Sequence, residues 1–128
     1  MKKLIFFIED DLPTIEVYKI SLESAGFGVQ VIESGNKAVE EIKKIAEEGN
    51  KKPDLVLLDL ILPDINGIEV LKEIRKLEET KDIPVFILTN YSDKKLQKAG
   101  FDLKSEKFLL KTDYRPQKLA ELVKKRLK

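Results

Sequence analysis

Five short apolar runs, rich in β-branched and aromatic residues, recur along this chain with an amphipathic segment after each. They are Leu4–Ile8, Gly28–Ile32, Asp54–Leu58, Pro84–Leu88 and Lys107–Leu110. Continuous apolar runs of this length read as strands buried on both faces, the habit of a parallel sheet. The segments between them carry apolar residues at helical spacing: Ile15, Tyr18, Leu22 and Ala25; Ala38, Ile42 and Ile45; Val70, Leu71, Ile74 and Leu77; and Leu119, Leu122, Val123 and Leu127. A short fourth helix is expected from Asp93 to Ala99. Parallel strands need crossover connections, and helices supply them. The order βα, five times over, predicts an α/β fold: a flavodoxin-like, doubly wound (βα)5 sandwich with the parallel five-stranded sheet ordered 2-1-3-4-5.

The punctuation agrees. Asp11, before Leu12-Pro13-Thr14, and Ser34 are suited to cap helices. Pro53 breaks the chain before the third strand, and Pro63 with Asn66-Gly67 marks a loop. Two Ala-Gly-Phe triplets, at 25–27 and 99–101, read as two uses of one helix-ending device, a glycine in the left-handed region followed by an apolar contact. The 128 residues are expected to form one domain spanning 1–128, with nothing left over for an output domain.

Composition removes whole classes of chemistry. With no Cys and no His there is no disulfide, no thiol nucleophile, no imidazole base and no Cys/His zinc site, so a bound metal must be held by oxygen. The 24 basic and 23 acidic residues nearly cancel, which gives no reason to expect a nucleic-acid or anionic-membrane surface. The apolar start is too short for a signal peptide and is interrupted by acids, so a cytoplasmic location is expected.

Function is carried by where the polar residues fall. In an open parallel sheet, ligands bind beyond the carboxyl ends of the strands, where the strand order reverses. Here that point lies between strands one and three. Strand one ends in Glu9, Asp10 and Asp11; strand three ends in Asp59; strand four ends in Thr89 and strand five in Lys111. Carboxylates brought together repel, and a hard divalent cation such as Mg2+ offsets the repulsion. Lys111, the Thr89 hydroxyl and loop N–H groups would then suit a phosphoryl group. Asp11 is better placed to cap than to bind metal.

These residues resemble the receiver domains of two-component signalling over the whole chain. LIFFIEDD is similar to the family's acidic motif, LVLLDLILPDINGIEVLKEIR (55–75) to its phospho-acceptor segment, VFILTN (85–90) to its Thr-bearing strand and FLLK (108–111) to its Lys-bearing strand. The resemblance implies a response regulator that is no enzyme beyond its own phosphorylation and dephosphorylation. Asp59 would take a phosphoryl group from the phosphohistidine of a sensor histidine kinase or phosphotransfer protein. Asp10 would bind Mg2+ directly, Glu9 mainly through water, with Asp59 and the Ile61 carbonyl completing the protein ligands. Lys111 would pair with Asp59 and then the phosphoryl group, Thr89 would swing to a phosphoryl oxygen, and Phe108 matches the switch aromatic.

Helix four, strand five and helix five would then change affinity for a downstream protein target, and the same face would serve a homodimer. Three departures stand out. Thr112 replaces the usual proline after the lysine, Phe108 lacks a tyrosine's hydroxyl, and Ile61 with Tyr91 fills the two variable positions flanking the acceptor. Apolar Ile61 and bulky Tyr91 predict slow dephosphorylation. The alternative is a degenerate or engineered receiver-like scaffold that acts only in protein docking. An aspartyl-phosphate phosphatase would need an acid where Ile61 stands, and a flavin binder would need a phosphate loop in place of Glu-Asp-Asp.

Overall fold

The computed structural model describes residues 2–128. Five strands and five helices alternate: β1 (Leu4–Ile8), α1 (Leu12–Ser24), β2 (Gly28–Ile32), α2 (Gly35–Glu48), β3 (Leu55–Leu58), α3 (Gly67–Lys76), β4 (Val85–Thr89), α4 (Lys94–Asp102), β5 (Lys107–Leu110) and α5 (Pro116–Arg126). All strands are parallel and the sheet order is β2-β1-β3-β4-β5, as the sequence predicts.

Alternation along the strands divides the interior in two. Ile5, Phe7, Leu55, Leu57, Phe86, Leu88 and Leu109 meet Tyr18 and Leu22 of α1 and Leu119 and Val123 of α5. Phe6, Ile8, Val56, Leu58, Val85 and Ile87 meet Ala38, Ile42 and Ile45 of α2 and Val70, Leu71 and Ile74 of α3. Each large apolar side chain taken out of water contributes about 1.5–3 kcal/mol. A one-residue slip of any central strand would exchange its two faces. The register is therefore tightly held, with Ile8 opposite both Ile32 and Leu58. That register sets Glu9 and Asp59 side by side, and the Asp59 N–H donates to the Ile8 carbonyl at 3.0 Å.

Two boundaries differ from expectation for reasons the backbone supplies. β3 starts at Leu55, because Asp54 instead closes the bottom of the sheet: its N–H donates to the Leu4 carbonyl and its carboxylate accepts from the Leu4 N–H, both at 2.7 Å. β4 runs from Val85 to Thr89, one residue later than expected, since Pro84 has no N–H and joins only through its carbonyl, which accepts from Val56 at 2.9 Å.

The two Ala-Gly-Phe triplets do different jobs. Gly26 has φ +100°, and Phe27 N–H bonds back to the Leu22 carbonyl at 3.1 Å, so the first triplet ends α1 as expected. The second does not end α4, which continues through Gly100 and Phe101 to Asp102. Gly100 is there for close approach: a Cβ on it would stand 2.7 Å from Ile87 Cδ1 and 3.2 Å from Ser105 Oγ. The left-handed residue falls later, on Lys104 at φ +62°, and Ser105 N–H bonds the Gly100 carbonyl at 2.9 Å.

Candidate functional site

The carboxyl ends of β1, β3, β4 and β5 meet at one edge of the sheet, and a buried ion-pair cluster lies there. The Lys111 ammonium, just past β5, is 2.6 Å from Glu9 Oε1 and 3.1 Å from Asp59 Oδ2. The three side chains are 9%, 1% and 7% exposed, so the charges interact in a poorly screened setting. Glu9 Oε2 accepts the N–H groups of Asp10 and Asp11 at 3.2 Å each, while Oε1 has no well-aligned hydrogen bond and faces only the ammonium. Asp59 Oδ1 accepts the Ile61 N–H at 3.3 Å, a long bond. Burial, with the neighbouring Asp59 charge, raises the Glu9 pKa above its ordinary value despite the Lys111 ammonium beside it. Burial would lower the Lys111 pKa, but the close ion pair with Glu9 and the Asp59 charge outweigh it and the pKa rises.

Asp10 is exposed beside this pair, and one carboxylate oxygen from each of Glu9, Asp10 and Asp59 lies within 4.8 Å of the others. Three acids face one ammonium, all donors are oxygen, and Glu9 Oε1 is buried without an aligned donor. That set fits a hard divalent cation. Asp11 is not in the cluster. It caps α1, accepting the Thr14 N–H at 3.1 Å, and the Thr14 hydroxyl bond holds its carboxyl below the ordinary value.

Thr89 ends β4 fully buried, its Oγ1 accepting the Tyr91 N–H at 3.3 Å and its carbonyl accepting the Lys111 N–H at 2.9 Å. Phe108 is half-buried against the core on the α4 side of β5. Ile61, two residues beyond Asp59, and Tyr91, two beyond Thr89, are 54% and 47% exposed. The Lys111–Thr112 peptide is trans, as is every described peptide bond, and Lys111 reaches both carboxylates from it.

Two supports escaped the sequence reading. Asp64 accepts the N–H groups of Gly35 and Asn36 at 2.8 Å each, tying the loop after β3 to the start of α2, and those bonds depress its pKa. A Pro-Asp-Ile-Asn run already carries the signature of a side chain bonding backbone. Gly67, expected in the loop, instead opens α3 behind its cap Asn66. Its N–H donates to the Leu60 carbonyl at 2.8 Å, and a Cβ would meet the Asp59 carbonyl and stand 2.8 Å from Leu60 Cα. The loop that follows Asp59 is thus pressed onto the first turn of α3.

A family model for the response regulator receiver domain matches residues 5–124. The DNA-binding dual master transcriptional regulator RpaA of Synechocystis is 37% identical over 107 residues, covering 84% of this chain and 42% of that protein. This chain spans about half the length of the curated relatives it matches. Among solved structures, the phosphorylated cyanobacterial phytochrome response regulator RcpA superposes with a TM-score of 0.83 at 29% identity, covering 98% of this chain and 91% of that one. The Mn(2+)-bound response regulator Rcp1 gives 0.83 at 27% identity, covering 95% and 91%. No described helix is long and apolar enough to cross a membrane. With the fold, the strand order and the family match in agreement, the chain belongs to the response regulator receiver domains, the phospho-accepting signalling modules of two-component systems.

Proposed function

We propose that Asp59 accepts a phosphoryl group from a partner's phosphohistidine and that the change at Asp59 is read out on the α4-β5-α5 face. The observation that carries this is the Lys111 ammonium shared between buried Glu9 and Asp59, with the Asp10 carboxylate alongside. An Asp59 carboxylate oxygen attacks phosphorus, the new O–P bond forms as the P–N bond breaks, and the electron pair leaves with the imidazole nitrogen, which takes up a proton from solvent. Lys111, already beside Asp59, neutralises the developing charge on the phosphoryl oxygens. Glu9, Asp10 and Asp59, with the Ile61 carbonyl, would hold Mg2+, which when bound supplies positive charge to the phosphoryl oxygens.

Thr89 donates its hydroxyl to a phosphoryl oxygen once its present tie to Tyr91 is given up, and Phe108, at the next strand, follows it inward. The half-exposed Ile61 and Tyr91 shield phosphorus from water and slow dephosphorylation. The partners in this reading are a histidine kinase or phosphotransfer protein and a downstream protein, with a homodimer through α4-β5-α5 as a second use of that face. DNA binding belongs to the longer relatives; this chain's near-neutral charge supports protein contact instead.

The test is incubation with acetyl phosphate and Mg2+, followed by intact mass. One phosphoryl group should be added to the natural chain and none to Asp59→Asn. Labelling of Asp59→Asn at the natural rate would defeat the acceptor assignment.

A further inference from the structure

The hydroxyl of Tyr18 does work that a core aromatic does not need to do. Its ring is buried and packs edge-on against Phe7 of β1, with ring centroids 6.3 Å apart and planes at 73°. Its hydroxyl donates to the Tyr114 carbonyl at 2.6 Å, across 96 residues of chain. Tyr114 belongs to the turn that follows β5 and carries Lys111, a turn closed locally by the Asp113 N–H on the Leu110 carbonyl at 2.9 Å. Otherwise that turn is held by the Lys111 N–H on the Thr89 carbonyl at 2.9 Å and by the partly buried Tyr114 side chain, packed against the core beside α1 and α5. It has no proline before Pro116, and Arg115 caps α5 without a side-chain hydrogen bond. Among the described residues, the Tyr18 hydroxyl makes the one side-chain hydrogen bond to the backbone of residues 111–116.

The contacts close a ring. From Glu9 the ion pair runs to Lys111, the turn runs on to Tyr114, the hydroxyl bond crosses to Tyr18, and the Tyr18 ring rests on Phe7, two residues before Glu9. We infer that Tyr18 is a positioning residue for phosphoryl transfer: its hydroxyl latches the Lys111–Tyr114 turn to α1 and so sets the Lys111 ammonium between Glu9 and Asp59. This rests on the phospho-acceptor reading above. The Tyr18 hydroxyl bonds neither Asp59 nor the ammonium, so the hydroxyl's effect is routed through Lys111.

The experiment is a double-mutant cycle on acetyl-phosphate labelling at saturating Mg2+, with Tyr18→Phe, Lys111→Ala and the pair. Tyr18→Phe should slow labelling about fivefold, the equivalent of one neutral hydrogen bond. In the Lys111→Ala background the same change should do nothing further. Amide resonances of residues 111–114 should shift while Mg2+ affinity stays put. Tyr18→Leu, which loses the hydroxyl and also the ring's contact with Phe7, should be slowed at least as much. A Tyr18→Phe chain that labels at the full rate, or one slowed equally with and without Lys111, overturns the latch. Lys111→Ala alone reports on the underlying reading: if it labels at the full rate, that reading falls and this proposal with it. A slow Lys111→Ala chain beside an unchanged Tyr18→Phe chain overturns the latch only.

Discussion

Lys111 stands closer to Glu9, at 2.6 Å, than to Asp59, at 3.1 Å, and Glu9 is the more deeply buried of the two acids. The lysine is thus first a counter-ion for a carboxylate that has no other charged donor, and only second a partner of Asp59. Removing one member of a buried pair leaves the other unpaired, which costs about 3–5 kcal/mol. Lys111→Met should therefore lower stability to urea by about 3 kcal/mol. Millimolar Mg2+ should restore part of the loss, because the freed acids then hold a cation in its place. Equal urea midpoints for the two chains without Mg2+ would show that Glu9 is content alone.

Asp10 is exposed and makes no side-chain hydrogen bond among the described residues, so its carboxylate has no structural duty that competes with a cation. Asp10→Asn should leave the urea midpoint nearly unchanged and weaken Mg2+ binding about tenfold or more. Following the amide resonances of residues 59–61 during Mg2+ titration measures this. Unaltered affinity would remove Asp10 from the ligand set.

Stability should fall in alkali through two groups together. The Tyr18 pKa is raised above 10.0 by burial, and Lys111, which burial alone would lower, is raised above 10.5 by its ion pairs with Glu9 and Asp59. For both, the folded chain keeps a proton that the unfolded chain has already released, so the stabilisation is complete below the unfolded value and is lost as pH rises through the folded one. Urea midpoints should drop as pH rises past 10.0 and 10.5, the ordinary values of the two groups, and less steeply in Tyr18→Phe. A flat profile across that range would contradict both shifts.

What could be read in the sequence was what depends on strand order. Once five βα units are recognised, topology alone brings Glu9, Asp10, Asp59, Thr89 and Lys111 to one edge, and the register confirms the neighbourhood of Glu9 and Asp59. What could not be read depends on how tightly two elements approach. Gly100 and Gly67 look like loop glycines because both precede or follow turn-forming residues, yet each is needed where a Cβ would strike another element. Asp64 and Tyr18 were hidden for a related reason: their partners are backbone groups far along the chain, and such pairings leave no mark in local spacing.

The exposed Ile61 and Tyr91, each two residues beyond a site residue, lead to a kinetic expectation. Ile61 stands two residues beyond Asp59 and Tyr91 two beyond Thr89, both with large exposed side chains, and in the reading proposed above they shield the phosphoryl group from water. The phosphorylated chain should persist for many minutes at neutral pH. Ile61→Glu and Tyr91→Ala should each hasten loss of the phosphoryl group about tenfold, which is only 1.4 kcal/mol of barrier. The decay is followed by intact mass after acetyl phosphate is removed. Loss within seconds in the natural chain would refute the shielding role.

Gly100 and Gly26 make opposite demands although their sequence contexts match. Replacing a helix-interior glycine by alanine ordinarily stabilises by about 1 kcal/mol. At Gly100 the sign should reverse, because the new methyl would meet Ile87 Cδ1 at 2.7 Å and crowd α4 off the sheet, costing about 1–3 kcal/mol. Ile87→Val trims that methyl and should recover most of the loss in the double variant. At Gly26 nothing lies within 4 Å, so there is no clash to relieve. Gly26→Ala should still cost about 1 kcal/mol, because φ +100° disfavours any side chain, and no neighbouring substitution should rescue it. Urea unfolding of the four chains separates crowding from backbone strain. A stabilised Gly100→Ala chain would mean that α4 is free to lift away from β4, and the close contact would not be what requires glycine there.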